Sequence, residues 1–327
     1  MKSIAAIHKT YGKASEAVEP VETEVGEPQR GQALVKLEMA SINPSDLGMI
    51  GGTYGRLREL PAVAGREGIG RIVALGEGAE GLRIGARVRI PEEPGVWRQY
   101  QICDASQLVE LPDDLPADIC AMSFVNPPTA YCILNQFADL KPGDWVIQNG
   151  AGSALGHFMI QLCRARGIKT VNMLRNADSK RDALCEMGAD IVADESSFDA
   201  KEIKRLTEGR LLLGLNQIGG ESVSNMIKAM GDGATVVTVG GMVGTPVRFP
   251  TRFLIFNDLR LRGFWWDKWR RTHSKEEVAK LFSEIFALMR DGVLKAPVDS
   301  VFELSRVKEA LARAESGGRN GKVMLSF

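Results

Sequence analysis

The stretch DWVIQNGAGSALGHFMIQLCRARGIKTVNMLR, residues 144–175, decides the fold of this chain. It begins with a short β-favouring run, followed by the glycine-bearing turn NGAGSALG. Apolar residues then recur at helical spacing up to Gly167, which is placed to end the helix. A second apolar strand follows at Lys169–Leu174. Strand, turn, helix and strand in this order predict a parallel unit of a doubly wound sheet.

The turn has the features of a phosphate-binding site. Gly150, Gly152 and Gly156 allow the backbone to approach a diphosphate, at the end of a helix where free N–H groups and the positive dipole face an anion. The turn is not a full GxGxxG fingerprint, because Ala151 stands at its first glycine position when Gly156 is taken as the last. The turn alone leaves nucleotide binding and a purely structural turn both open, and the second strand favours the nucleotide.

The residue after the second strand indicates which nucleotide. Arg175 stands where an acidic residue would accept hydrogen bonds from a ribose 2′-hydroxyl. An arginine offers a forked cation to a 2′-phosphate instead, so the sequence predicts NADPH rather than NADH. Lys180 and Arg181 lie nearby and are candidates to assist. The alternative is that these three cations are solvated surface charges.

Length and composition bound the protein class. At 327 residues the chain is expected to form two domains. Basic and acidic residues both number 41, which argues against a nucleic-acid or anionic-membrane partner. No apolar run approaches the ~20 residues of a membrane span. Without a signal-peptide pattern, a cytoplasmic location is expected.

The cysteines and histidines do not suggest metal or disulfide chemistry. The five cysteines are scattered without a CxxC pair, as expected for reduced thiols used as small apolar residues. The three histidines, His8, His157 and His273, are expected to be structural or solvated.

The pattern of strands predicts an α/β fold with two domains. Residues 31–112 read as short strands between turns and could form a compact barrel-like domain, whereas strand and helix alternate from about residue 120. The tail is expected to pair back onto the first domain. We thus expect a catalytic domain over 1–119 and 263–327 and a Rossmann domain over 120–262. The predicted strands are Ser3–His8, Ala33–Leu37, Gly70–Leu75, Ala86–Ile90, Trp97–Cys103, Asp144–Gln148, Lys169–Leu174, Asp190–Ala193, Leu211–Ile218, Ala234–Val239, Leu259–Phe264, Val301–Leu304 and Lys322–Phe327.

Five motifs, in order along nearly the whole chain, carry a resemblance to a known family. They are SINPSDLGMIGGTYG (41–55), FVNPPTAY (124–131), VIQNGAGSALG (146–156), VGGM (239–242) and LIFNDLRLRGFWWDKW (254–269). Together they resemble the 2-enoyl thioester reductases of the medium-chain dehydrogenase/reductase superfamily. The resemblance implies a GroES-like β-barrel-type catalytic domain beside the Rossmann domain. It also implies NADPH-dependent reduction of the trans-2 double bond of enoyl thioesters carried on coenzyme A or acyl carrier protein.

The zinc-dependent members of that superfamily offer a contrast. They carry a cysteine and a histidine in regions that here read NPSD (43–46) and GREG (65–68). A catalytic zinc needs three protein ligands. No metal is therefore expected.

A tyrosine can protonate the α-carbon or hydrogen-bond the thioester oxygen without carrying permanent charge. The chain has four, Tyr11, Tyr54, Tyr100 and Tyr131. By resemblance Tyr54 matches the catalytic tyrosine of the family, as proton donor or as oxyanion stabiliser. The alternative is an aromatic residue that anchors its loop.

The resemblance also implies cofactor contacts. Asn126 would hydrogen-bond near the nicotinamide ribose or the substrate carbonyl. Trp265, like Trp266 and Trp269, has core packing as its alternative. The remaining implied contacts are Gly152, Ser153, Ala154 and Leu155 at the phosphate turn, Arg175 at the 2′-phosphate, Gly240, Gly241 and Met242 after a strand, Phe264 beside Trp265 at the nicotinamide and acyl pocket, and Lys322 near the C-terminus.

Arg66 departs from the family pattern, which has a smaller or neutral residue there. It could touch a substrate phosphate or the cofactor, or form an ion pair with Glu67 or a neighbour. Two other functions stay open: a zinc-free quinone or enone reductase, and a non-catalytic NADPH-binding module. A homodimer is expected, because Val247–Phe264 is rich in β-branched and aromatic residues at the end of the nucleotide domain.

Overall fold

The computed structural model describes residues 1–79, 81–242, 244 and 246–327. The strands are β1 (Lys2–His8), β2 (Val18–Glu24), β3 (Gln32–Ser41), β4 (Ala62–Val63), β5 (Gly68–Leu75), β6 (Arg87–Arg89), β7 (Tyr100–Asp104), β8 (Val109–Glu110), β9 (Trp145–Asn149), β10 (Lys169–Leu174), β11 (Ile191–Asp194), β12 (Leu211–Asn216), β13 (Thr235–Thr238), β14 (Arg260–Gly263), β15 (Val298–Glu303) and β16 (Lys322–Ser326). The helices are α1 (Ala14–Ala17), α2 (Pro44–Ile50), α3 (Ala117–Ala121), α4 (Asn126–Gln136), α5 (Ala154–Ala165), α6 (Arg181–Met187), α7 (Ala200–Leu206), α8 (Gly220–Ala229), α9 (Arg252–Phe256), α10 (Trp266–Thr272), α11 (Lys275–Arg290) and α12 (Val307–Glu315).

The chain divides into two compact units. The first unit comprises Met1–Phe124 and Ala296–Phe327, and the second unit comprises Val125–Lys295. Among the described helices, none combines the length and hydrophobicity that crossing a bilayer requires.

The first unit is built from two sheets. One has the order β2-β1-β4, and the other has the order β15-β16-β3-β5-β6-β8, with β7 also paired to β3. The tail returns to the first unit as expected, because β16 pairs antiparallel with β3 through Met324 opposite Ser41. The core beneath these strands includes fully buried Val35, Val88 and Trp97. Long-range pairing and burial together hold the two ends of the chain in one unit.

The second unit contains a six-stranded parallel sheet of order β11-β10-β9-β12-β13-β14. The order reverses between β9 and β12, and ligands of such sheets bind beyond the carboxyl ends of the strands at this point. Buried parallel strands need apolar side chains on both faces. Ile147, Val171 and Leu213 meet this requirement, since all three are fully buried. The predicted α/β fold class is confirmed.

The boundary between the units differs from the predicted one. The sequence interpretation assigned 263–327 to the catalytic domain, whereas the second unit continues to Lys295. Two physical reasons explain the difference. β14 extends the parallel sheet by pairing with β13, and α11 packs on α4, where the Tyr131 hydroxyl donates a hydrogen bond to Glu284. At the other boundary the first unit ends at Phe124 rather than at residue 119.

Candidate active site

The glycine turn joins β9 to α5 in the second unit. Ser153 caps the twelve-residue helix, because its hydroxyl accepts a hydrogen bond from the Gly156 N–H at 3.0 Å. Gly150 has φ +64°, a conformation that other residues rarely adopt. A Cβ at Gly156 would lie 2.5 Å from the Ala151 carbonyl oxygen, so glycine alone lets the helix start pack on the turn. The remaining first-turn N–H groups are the donors that phosphate requires.

A network of amide side chains at the carboxyl ends of β9 and β12 holds this turn in place. Asn149 accepts a hydrogen bond from the Gln217 N–H at 2.7 Å and donates one to Asn216 Oδ1 at 2.9 Å. The Ser153 hydroxyl donates to Gln217 Oε1 at 2.9 Å. The carboxyl ends of β9 and β12 are thus tied to the helix cap. Sequence analysis did not identify these amides, although the signal was present in the polar ends of two apolar strands, IQN and GLNQ.

The turn also carries a cation. A Cβ at Gly152 would lie 3.2 Å from Lys180 Nζ, which places the ammonium at the glycine turn. His157, in the first turns of α5, is buried, and burial with a smaller contribution from Lys180 lowers its pKa to about 4. The imidazole is therefore neutral at pH 7, as the structural role predicted for it requires. A positive charge at a helix N-terminus fits a diphosphate.

Arg175 directly follows β10 and is exposed. Within the described part of the chain its guanidinium has no hydrogen bond or ion pair. Asp194, paired opposite Leu174 at the end of β11, accepts a hydrogen bond from the Ala177 N–H at 2.9 Å. Hydrogen bonds from the Ser196 hydroxyl and from backbone N–H groups lower the pKa of Asp194 to about 2. The Asp194 carboxylate is thus already hydrogen-bonded to backbone N–H groups. The exposed charged group at this position is the Arg175 guanidinium. This arrangement fits a 2′-phosphate.

Other predicted cofactor contacts lie in the second unit. Gly240 follows β13, and a Cβ there would lie 2.8 Å from the Gln217 carbonyl oxygen, so this glycine approaches the amide network closely. Gly241 and Met242 are exposed. Asn126 is the first residue of α4 and is buried.

The aromatic residues after β14 have different surroundings. Phe264 packs edge-to-face on Phe137 with ring centroids 6.1 Å apart. Trp265 is half-buried under the Arg271 guanidinium, 5.1 Å from its ring centroid. Trp266 is buried and stacks on Trp269 at 5.3 Å, which is core packing. Pocket lining by Phe264 and Trp265 stays a prediction.

Tyr54 lies in the first unit, on the loop after α2. Its backbone N–H donates to the Gly48 carbonyl at 3.1 Å. Gly52 has φ +74°, and a Cβ there would lie 3.0 Å from Tyr11 Cγ, so the Tyr11 ring fixes the loop from one side. The Tyr11 hydroxyl donates to the Arg58 carbonyl at 3.0 Å. The Tyr54 side chain is half-buried at the end of this braced loop.

Arg66 contacts Tyr54 directly. The Tyr54 hydroxyl oxygen accepts a hydrogen bond from Arg66 Nη1 at 2.6 Å, and the guanidinium carbon lies 4.6 Å from the ring centroid. Arg66 Nε donates to Glu92 Oε1 at 2.6 Å. The side chains of Arg66 and Glu92 are only 4% and 15% exposed. Of the alternatives left open by the sequence, the ion pair with a neighbour is present, and that neighbour is Glu92.

Glu67 has a separate set of donors. One carboxylate oxygen accepts from the Ser41 hydroxyl at 2.7 Å and the Asn43 amide at 2.8 Å. The other accepts from the Phe124 N–H at 2.6 Å. These bonds fix the start of α2, which leads into the Tyr54 loop.

Two further buried charged residues, Lys322 and Asp46, lie at the turn around Asn43. The Lys322 ammonium donates to Asn43 Oδ1 and to the Ile42 carbonyl, the latter at 3.2 Å. Burial lowers the pKa of Lys322 to about 8 and raises that of Asp46 to about 6. The predicted cofactor contact of Lys322 stays a prediction, since in the first unit this ammonium is buried and serves the Asn43 turn.

Within residues 1–79, 81–242, 244 and 246–327, no group of three or more His, Cys, Asp or Glu side chains is arranged to hold a metal ion. The five cysteines are free thiols, and only Cys185 is exposed.

Comparison with known proteins agrees with this architecture. The alcohol dehydrogenase GroES-like domain matches residues 29–113, and the zinc-binding dehydrogenase family matches residues 154–284. Mitochondrial enoyl-acyl-carrier-protein reductase of Rattus norvegicus is 38% identical over 314 residues, which cover 94% of this chain and 84% of the rat protein.

Solved structures share the fold. A complex of Etr1p with NADP and crotonyl-CoA superposes with a TM-score of 0.91 at 24% identity, covering 100% of both chains. A structure from Bacillus thuringiensis, assigned by name to the NADPH:quinone reductases, has a TM-score of 0.92 at 24% identity and covers 100% of this chain and 99% of its own. At this identity both likenesses concern the fold alone.

The comparisons correct one expectation and identify the family. The expected cytoplasmic location is wrong by this measure, because relatives such as the rat enzyme are named as mitochondrial. The expectation relied on the lack of a signal-peptide pattern, which marks secreted proteins and does not distinguish cytoplasm from mitochondria. The identity to the rat enzyme extends over nearly the whole chain. The chain belongs to the medium-chain dehydrogenase/reductase family, within its group of mitochondrial-type enoyl-acyl-carrier-protein reductases.

Proposed function

We propose that this chain reduces the trans-2 double bond of enoyl thioesters with NADPH, and that Tyr54 is its catalytic acid. The observation that carries the proposal is the near full-length similarity to enoyl reductases, together with a half-buried tyrosine on a braced glycine loop. When bound, NADPH supplies the hydride that the β-carbon of the substrate accepts.

Tyr54 completes the addition across the double bond. As hydride reaches the β-carbon, an electron pair moves toward the thioester oxygen, and the α-carbon then takes a proton. The Tyr54 O–H bond breaks as the new C–H bond forms at the α-carbon. A neutral phenol suits this task, because it donates a proton without placing a permanent charge in the site.

The second unit provides the residues that fit NADPH. We infer that the N-terminus of α5 and the ammonium of Lys180 bind the diphosphate, and that Arg175 binds the 2′-phosphate. The inferred contacts further include Gly152, Ser153, Ala154, Leu155, Gly240, Gly241, Met242, Asn126, Phe264 and Trp265. Two observations support this inference. The Asp194 carboxylate is already hydrogen-bonded to backbone, and the Arg175 guanidinium has no hydrogen bond or ion pair within the described residues.

We further infer a homodimer formed through the second unit. β14 is the edge strand of the six-stranded sheet, and its four residues are all exposed. Leu254, Ile255 and Phe256 of the preceding helix α9 are exposed as well. An open strand edge beside an apolar cluster is suited to pairing with a second copy across a two-fold axis.

The function is tested by NADPH oxidation with crotonyl-CoA and trans-2-decenoyl-CoA, with 1,4-benzoquinone as a parallel substrate. We expect enoyl-CoA turnover that falls by ~100-fold or more in Tyr54→Phe. Turnover of benzoquinone alone, unchanged by Tyr54→Phe, would instead assign the chain to the zinc-free quinone reductases. NADPH binding without turnover of any substrate would indicate a non-catalytic module.

A further inference from the structure

The hydrogen bond between Arg66 and Tyr54 has a fixed direction. A guanidinium carries five N–H donors and no acceptor, so the Tyr54 oxygen can only accept from Arg66 Nη1. The phenol proton is therefore turned away from Arg66. It points toward an acceptor other than Arg66, which is the orientation that a proton donor needs.

The same contact places a cation beside the oxygen that loses the proton. At 2.6 Å a guanidinium favours the phenolate over the phenol, both by charge and by hydrogen bonding. The interaction is stronger than at an open surface, since the Arg66 side chain is only 4% exposed.

The guanidinium is itself held in place. Glu92 Oε1 accepts from Arg66 Nε at 2.6 Å, and the Glu92 carbonyl accepts from Arg58 Nη2 at 2.8 Å. Arg58 Nε also donates to the neighbouring carboxylate of Glu93 at 2.9 Å. The loop that carries Glu92 is thus anchored, and Arg66 has little freedom to leave the phenol.

We propose that Arg66 is a positioning residue for Tyr54, which orients the phenol proton and stabilises the phenolate left after protonation of the α-carbon. The inference rests on the proposed function, and solvent returns the proton to the phenolate after each turnover. Family resemblance does not supply this role, because Arg66 is a departure from the family pattern.

Several charged groups in the first unit bear on the ionisation of Tyr54. Arg66 contacts the phenol, Glu92 pairs with Arg66, and Arg58 holds Glu92 and Glu93 as described above. The buried charged groups of the adjacent turn are Asp46 of α2, Glu67 before β5 and Lys322 of β16, and the charge of Asp46 interacts with that of Arg66. The test therefore changes Arg66 alone and leaves the others in place.

The test is a spectrophotometric titration of tyrosinate in protein without substrate or cofactor. Subtracting the Tyr54→Phe titration from that of the wild type isolates one phenol among four. We expect this phenol to ionise at lower pH than free tyrosine, and its midpoint to rise by about one pH unit in Arg66→Gln. Arg66→Lys, which keeps the charge, is expected to retain most of the effect. With enoyl-CoA, kcat of Arg66→Gln should fall roughly ten-fold.

The control is Arg87→Gln. Arg87 is a buried arginine of the same unit, paired with Glu38 and the Leu115 carbonyl. Its loss should lower stability without moving the titration of Tyr54. If the Tyr54 phenol of the wild type ionises with a midpoint pH equal to or higher than that of free tyrosine, the inference is overturned. This measurement needs no folded Arg66 variant. If Tyr54→Phe loses turnover as expected while the Tyr54 titration is unchanged in Arg66→Gln, the role inferred for Arg66 is overturned and the proposed function is not. An unchanged turnover in Tyr54→Phe overturns the proposed acid instead.

Discussion

The Asp194 carboxylate accepts a hydrogen bond from the backbone N–H of Ala177 at 2.9 Å, although Asp194 is the last residue of β11 and Ala177 follows the neighbouring strand β10. Asp194 also accepts from the N–H and hydroxyl of Ser196. This carboxylate thus fixes the segment that begins at Arg175 and has no role left as a ribose acceptor. Because its pKa is lowered to about 2, the bond is present at neutral pH and is lost only as the pH falls through about 2.

Arg175→Ala should reduce affinity for NADPH and leave affinity for NADH nearly unchanged. A charge-assisted hydrogen bond contributes about 1.5 to 3 kcal/mol, which corresponds to a roughly 10- to 100-fold weaker Kd for NADPH. The measurement is a fluorescence titration of each nucleotide against the protein. NADH lacks the 2′-phosphate, so its Kd should change less than about three-fold.

Arg181→Ala is the matched control for Arg175. The Arg181 guanidinium lies nearby but is occupied by Asp178 at 2.9 Å and the Val192 carbonyl at 2.5 Å. Removal of the Arg181 side chain should leave the ratio of the Kd values for NADPH and NADH unchanged. Equal weakening of both nucleotides by Arg175→Ala would show that Arg175 does not read the 2′-phosphate.

Asp46 should make the first unit less stable as the pH rises from about 4 to about 6. Burial raises its pKa to about 6 in the folded protein, against 3.8 as the reference value. The folded state then binds more protons than the unfolded state in this window, so the free energy of unfolding falls with rising pH. This difference in pKa corresponds to on the order of 3 kcal/mol.

Asp46→Asn tests this dependence by urea unfolding at several pH values. The amide does not titrate, and its oxygen can still accept from the Asn43 N–H that Asp46 bonds at 2.7 Å. We expect the decline between pH 4 and pH 6 to flatten in the variant. Identical slopes in variant and wild type would mean that Asp46 is ionised in both states across the window.

The sequence was sufficient to locate elements whose apolar runs are continuous. All six strands of the parallel sheet lie within a residue or two of their predicted positions. Four of them, β9, β10, β12 and β13, are mostly buried, as strands covered on both faces are. Strand β2, VEPVETE, lies outside the predicted strands. Its glutamates and proline do not give the sequence pattern of a strand. The strand is stabilised by pairing with β1 rather than by its own burial.

The site could be predicted only where local sequence determines it. The helix cap at Ser153 and the cation at Arg175 follow from a single βαβ unit. The bond between Arg66 and Tyr54 does not, because Tyr54, Arg66 and Glu92 come from three loops whose approach depends on packing within the first unit. For the same reason the burial of Lys322 beside Asn43 was not foreseen.

Phe256→Asp should convert the inferred dimer into monomers. Phe256 is 79% exposed in α9, beside the edge strand β14, and a second copy would bury its ring. A carboxylate placed in an apolar interface without a partner costs several kcal/mol, which is enough to dissociate a micromolar complex. The measurement is light scattering at micromolar concentration. Ile84→Asp is the matched control, since Ile84 is 66% exposed but lies in the first unit. A wild-type protein that scatters as a monomer would refute the dimer, and a Phe256→Asp dimer would place the interface elsewhere.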